Sequence, residues 1–206
     1  METEKPLTEH ASLALIDQMI RRAQKGVADN GFYFLLWGWL VFIAAIACYI
    51  MVVIYQTDLN WLPWAILMPV GGIASAVYGQ RQEKTERAKS YTGSVLKYVN
   101  IACGVSLGIV LLFLSQLANW TIAYSMLMMI YGCWLFISGG VMRFRPLIIG
   151  GIINWCCAVV GLLLLIDRSS PHYEIILLLA FAVLAGYIIP GHLLNARYNR
   201  ETNETV

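Results

Sequence analysis

Six long runs of apolar residues divide the chain, with short polar stretches between them. They cover about Phe32–Tyr55, Trp61–Tyr78, Leu96–Leu117, Trp120–Met142, Leu147–Ile166 and Tyr173–Leu194. Each has about the ~20 residues that an α-helix needs to cross a hydrocarbon core. The pattern predicts an all-α membrane protein with six transmembrane helices in a bundle. Ahead of the first run, Leu13, Ile16, Ile20, Ala23 and Val27 recur at spacings of three and four. That stripe predicts an amphipathic helix, with Asp17, Arg21, Arg22 and Lys25 on its other faces. A basic amphipathic helix beside a span suits an anionic leaflet or self-packing; a binding site for a protein partner is the other reading. The expected organisation is a cytoplasmic leader (1–30), a six-helix transmembrane domain (31–195) and a cytoplasmic tail (196–206).

The connections refine this picture. Only Arg143-Phe144-Arg145-Pro146 separates the fourth run from the fifth, which leaves room for nothing but a tight reversal. Those two helices are therefore expected to be antiparallel neighbours. Residues 80–95 hold Arg81, Lys84, Arg87 and Lys89 alternating with Glu83 and Glu86, so the helix there is expected to continue past the bilayer before turning. Pro69 lies inside the second run and should bend it. Gly71, Ser75 and Gly79 recur every four residues, and Gly104 and Gly108 make a GxxxG. Small residues at this spacing permit close helix approach, within the chain or between copies in a homo-oligomer. Pro69-Val70-Gly71-Gly72-Ile73 also resembles Pro146 through Ile152, which leaves an inverted repeat of runs 1–3 and 4–6 open.

Composition agrees with a bilayer environment. Of 206 residues, 59% are hydrophobic and 13% charged, against about 25% charged in a soluble domain. Charge distribution then sets direction. Thirteen of the fourteen Lys and Arg fall in the leader, the 80s loop and its edge, the 143–146 turn and the tail, with Arg168 alone opposite. Lys and Arg collect in short cytoplasmic loops, so both termini are expected in the cytoplasm. No basic residues cluster into the extended surface that nucleic-acid binding requires, so no nucleic-acid partner is expected.

The stretch Gly132 through Trp155, with its Ser-Gly-Gly and Arg-Phe-Arg-Pro-Leu-Ile-Ile-Gly-Gly core, resembles a family of short uncharacterised bacterial six-span integral membrane proteins. So do Leu36-Trp37-Gly38-Trp39 and Ile189-Pro190-Gly191-His192, and the likeness covers most of the chain. The resemblance implies a bacterial cytoplasmic (inner) membrane and a regulated membrane role. It brings no activity, cofactor or functional residue with it.

Candidate chemistry is sparse. Membrane catalysis and ion coupling usually use an ionisable group at depth, and the six runs hold only terminal ones: Lys97, Glu174 and His192. Metal-protease, nucleophile-elbow and phosphate-loop motifs are absent. Cys48, Cys103, Cys133, Cys156 and Cys157 all lie in apolar runs without zinc-type spacing, and packing explains them better than a metal does. No catalytic residue, cofactor or metal site is expected, and an enzyme is disfavoured. Two polar groupings remain. Asn100 and Asn154 could line a pocket with Ser106 or Ser138, although interhelical hydrogen bonding explains them as well. Asp167, Arg168, His172 and Glu174 form an outer-surface polar cluster that could hold an ion or a head group; a solvated turn accounts for them equally. Trp37 and Trp39 read as interfacial belt residues, with ligand stacking as the alternative. Three functions follow in order: a non-catalytic scaffold, sensor or regulatory component; a small transporter or channel; and, last, a lipid-modifying enzyme.

Overall fold

A computed structural model describes residues 31–85, 91–117, 120–164 and 173–203. Among these residues every regular element is helical. Six helical segments are long and apolar enough to cross a membrane, by length and composition. They are α1 (Phe32–Val53), α2 (Leu62–Thr85), α3 (Tyr91–Leu117), α4 (Trp120–Val141), α5 (Arg145–Leu163) and a composite sixth segment. The sixth is built from α6 (Glu174–Val183), a π-helical turn (Leu184–Ile188) and α7 (Ile189–Asn203). A 3₁₀ turn, Asp58–Trp61, leads into α2 and is capped by Thr57, whose hydroxyl accepts from Leu59 N–H at 3.3 Å. Most of the expected 80–95 loop is helix, since α2 runs to Thr85 and α3 starts at Tyr91. The amphipathic stripe of the leader lies outside the described residues.

The 143–146 corner reverses the chain between two touching helices. Phe144 N–H donates to Gly139 O at 2.8 Å, and Arg143 N–H to Gly140 O at 3.2 Å. These bonds satisfy carbonyls that the end of α4 would leave open, in the Schellman pattern. The motif demands a left-handed residue, and Arg143 supplies it at φ 51° where glycine is the usual choice. Pro146 then enters the first turn of α5, where its missing N–H costs no hydrogen bond.

Two adjacent glycines let α5 approach a different helix on each side. A Cβ on Gly151 would sit 2.8 Å from Gly132 O, so α4 and α5 cross in backbone contact there. A Cβ on Gly150 would sit 2.8 Å from Gly186 Cα, so the π-turn of the sixth segment meets α5 just as closely. Trp155 covers the first crossing, its indole N–H donating to Met129 O at 3.2 Å. Asn154 closes the second. Its amide donates to Gly150 O at 2.9 Å and to Ala182 O at 3.0 Å. The π-turn has a local cause as well. Pro190 cannot donate to a carbonyl four residues back, and the preceding Ile189 N–H reaches five back, to Leu184 O.

α1, α4, α5 and the sixth segment share one core, with Val41, Met128, Leu135, Leu147, Leu179 and Val183 buried in it. The other two helices are peripheral. Only 6% of the spanning window is buried in each of α2 and α3, against 56% in α4 and 61% in the sixth segment. α2 packs on α1, and α3 packs on α4. Among the described residues no Cα of α2 comes within 8 Å of one in α3. The first three helices are thus packed unlike the last three, where α5 touches both of its neighbours along the chain.

Candidate functional site

The missing contact between α2 and α3 leaves a cavity of about 400 Å³. Its walls come from helical stripes: Phe34, Trp37 and Val41 on α1, Asn100, Gly104 and Leu107 on α3, and Tyr131, Trp134 and Ser138 on α4 with Met142 just past its end. Ser75 contributes from α2, and Val183 and Tyr187 from the sixth segment. The volume falls in the range of ligand sites, about 300–1,000 Å³. α2 and α3 both line the cavity although no Cα of one comes within 8 Å of the other. It lies in the half of the fold that contains the 143–146 corner, since Tyr33, Leu96 and Met142 line it near their helix ends.

Two indoles tie the loose helices to the core at the cavity wall. Trp37 on α1 donates to Ser75 Oγ on α2 at 3.1 Å. Trp134 on α4 donates to Asn100 Oδ1 on α3 at 2.8 Å. Each bond gives an indole N–H a partner, and in an apolar surrounding an unmade hydrogen bond costs several kcal/mol.

Two other polar groups of the lining are not satisfied. Ser138 Oγ and Tyr187 Oη each have less than 1 Å² of accessible surface, so neither oxygen opens onto the cavity, and among the described residues neither has a hydrogen-bond partner. Helical serines without a better partner commonly bond back to the carbonyl four residues earlier. Ser106 does so to Ala102 O at 2.8 Å, and Ser125 to Thr121 O at 2.9 Å. Ser138 does not, although it occupies the same kind of helix position. Tyr187 packs edge-on against Tyr131, ring centroids 5.5 Å apart, with its hydroxyl left over. Among the described residues no Asp, Glu, Lys, Arg or His lines the cavity, and no group of three His, Cys, Asp or Glu could hold a metal ion.

The two asparagines singled out by sequence are separated. Asn100 lines the cavity. Asn154 is fully buried outside the cavity lining, its amide committed to Gly150 O and to Ala182 O at the end of α6, and its Oδ1 has no partner among the described residues. Ser106 is exposed on α3 and Ser138 is in the cavity. Of the outer-surface cluster, Asp167, Arg168 and His172 lie outside the described residues, and Glu174 is exposed at the start of α6. Trp39 faces outward at 44% exposure, whereas Trp37 turns inward to the cavity. A Cβ added at Gly104 or Gly108 would meet nothing within 4 Å among the described residues, so this GxxxG makes no close helix crossing there. Sequence reasoning did not single out Tyr131, Trp134 or Tyr187. Their signal is the spacing of Tyr131, Trp134, Ser138 and Met142, a polar-edged stripe on one helical face.

No family model, curated protein or solved structure matches the chain.

Proposed function

We propose that this is a multi-pass protein of the bacterial cytoplasmic membrane, termini inside, that binds a small molecule in its cavity as a non-catalytic sensor or regulatory component. The observation that carries the reading is the aromatic-walled cavity of about 400 Å³, lined by Phe34, Trp37, Tyr131, Trp134 and Tyr187. Its volume and largely apolar walls with a few polar groups are those of a small-molecule site. The membrane assignment draws on outward faces that carry Ile66, Ile73, Val105, Leu112, Ile149 and Phe181 exposed, a surface suited to lipid. The orientation draws on the one-sided Lys and Arg distribution. The basic leader, read from sequence as cytoplasmic, would address an anionic leaflet or a cytoplasmic protein. A catalytic reading lacks any acid, base or metal set in the lining.

Filling the cavity tests this. Gly104 lines it and Gly108 does not, and both have room for a side chain. Wild-type protein released from nanodiscs into native mass spectrometry should carry a stoichiometric small molecule. The Gly104→Phe variant should lose it and the Gly108→Phe variant keep it. Equal occupancy in all three, or none in wild type, defeats the proposal. A carrier is the second reading, favoured by Asn100 in the cavity lining. It requires in addition that the bound molecule cross proteoliposomes at a rate abolished by Gly104→Phe.

A further inference from the structure

We infer that the cavity takes a neutral, ring-bearing molecule with a carbonyl or ether oxygen, and that the Asn100 amide donates to that oxygen in an orientation fixed by Trp134. The inference rests on the small-molecule reading and specifies its chemistry. Neutrality follows from the walls. No charged side chain of the described residues lines the cavity, and an ion in an apolar site without a counter-charge is strongly disfavoured. The ring follows from Trp37, Tyr131 and Trp134, which place flat apolar side chains in the lining. Both indoles are pinned by their N–H groups, Trp37 to Ser75 and Trp134 to Asn100. Pinned rings lose little further freedom on binding, so these walls are prepared for a flat guest.

The oxygen follows from the bond between Trp134 and Asn100. An indole N–H can only donate. The amide atom 2.8 Å from it must therefore be the oxygen, which fixes an orientation that the shape of an amide leaves open. The end that the indole does not use is the NH2 group, two donors and no acceptor. Asn100 is exposed and lines the cavity, about two turns beyond Gly93, where the apolar span of α3 begins. In such surroundings a donor without an acceptor is costly, and an oxygen on the guest supplies the acceptor. The oxygens of Ser138 and Tyr187 cannot take this part, having almost no accessible surface, and Asn154 is outside the lining. A hydrocarbon of the guest's shape would keep the ring contacts and forfeit the bond.

Fluorenone is a suitable probe, being neutral, flat and built around one carbonyl, and fluorene is its twin without the oxygen. The full chain in nanodiscs is incubated with each compound and recovered, and the bound amount is measured by mass spectrometry as the excess over empty nanodiscs. The fluorenone excess should saturate in wild type and vanish in Gly104→Phe, which fills the cavity. Fluorene should bind about tenfold more weakly, the loss of one hydrogen bond. That comparison uses wild-type protein and so does not depend on how the variants fold. Trp134→Phe/Asn100→Leu removes donor and acceptor together, so no indole is left unpaired. It should bring the two compounds to within about twofold of each other, a ratio that a general loosening of the fold does not move. Saturable binding lost in Gly104→Phe, with fluorene bound as tightly as fluorenone, overturns donation to a guest oxygen and leaves the small-molecule reading standing. Discrimination that survives the double substitution overturns the assignment to Asn100. An excess that never saturates, or that persists unchanged in Gly104→Phe, overturns both the inference and the small-molecule reading.

Discussion

Substituting Gly151 by alanine isolates the contact that holds the core together. The new Cβ would lie 2.8 Å from Gly132 O, 2.9 Å from Phe136 N and 3.0 Å from Phe136 Cβ. Comfortable separations between non-bonded carbons are about 3.5–4.0 Å. Two of the three obstacles are backbone atoms, so no rotamer change relieves them. α4 and α5 must instead part by roughly 0.5–1 Å, a gap that forfeits about a quarter to a half of each contact's attraction. Overpacking of this kind costs about 1–3 kcal/mol. Alanine returns about 1 kcal/mol through its better helix propensity, so the net loss is about 1 kcal/mol, taking the middle of that range. Gly108→Ala is the matched control. It gains the same propensity and meets no neighbour, so it should stabilise by up to about 1 kcal/mol. The contrast of about 2 kcal/mol between the variants is the packing term alone. Unfolding in mixed micelles with rising sodium dodecyl sulfate, followed by far-ultraviolet circular dichroism, measures it. If Gly151→Ala proves as stable as Gly108→Ala, the backbone crossing of α4 and α5 is wrong.

Three further outcomes are expected. Asn154→Leu keeps the branching of the side chain but is larger and removes the donor to Ala182 O; it should cost at least about 1 kcal/mol in the same assay, the lost interhelical bond and the overpacking acting together. Arg143→Gly relieves a left-handed residue at the end of α4; it should stabilise by about 0.5–1 kcal/mol, and a loss of stability would mean that the side chain itself holds the corner. A single cysteine at Arg145, with the five native cysteines replaced, should react with an impermeant maleimide only after cells are opened; labelling of intact cells would invert the orientation.

What the sequence made legible follows from the physics of lipid. Length and uniform apolarity mark a helix that crosses a bilayer, so the six candidate spans stand out without any packing information. The brevity of 143–146 likewise forces α4 and α5 together. Which face of each helix turns inward was much harder to read. In water an apolar stripe marks the buried side, but around these helices both sides are apolar: Ile137 is exposed and Leu135 buried, two residues apart on the same helix. Small residues mislead for the same reason. Gly150 and Gly151 make the decisive contacts, whereas the better motif match, Gly104 and Gly108, makes no close helix crossing among the described residues. Trp37 and Trp39 carry the same side chain near the same end of α1, and only the neighbouring Ser75 separates the inward one from the outward one. The π-turn needed tertiary information too, because Pro190 alone does not say that Asn154 will donate to Ala182 O.

The two unpartnered hydroxyls also carry an energetic cost. Each buried, unpartnered hydroxyl costs the folded protein about 1–3 kcal/mol. α4 and the sixth segment could avoid that cost with apolar residues of similar shape, since Ser138→Ala and Tyr187→Phe each delete only an oxygen. Removing the oxygens should therefore make the protein more stable by about 1 kcal/mol for each substitution. A structural role for the same hydroxyls predicts the reverse, so unfolding of the double variant Ser138→Ala/Tyr187→Phe in mixed micelles decides between them. A double variant less stable than wild type would show that the hydroxyls serve the fold.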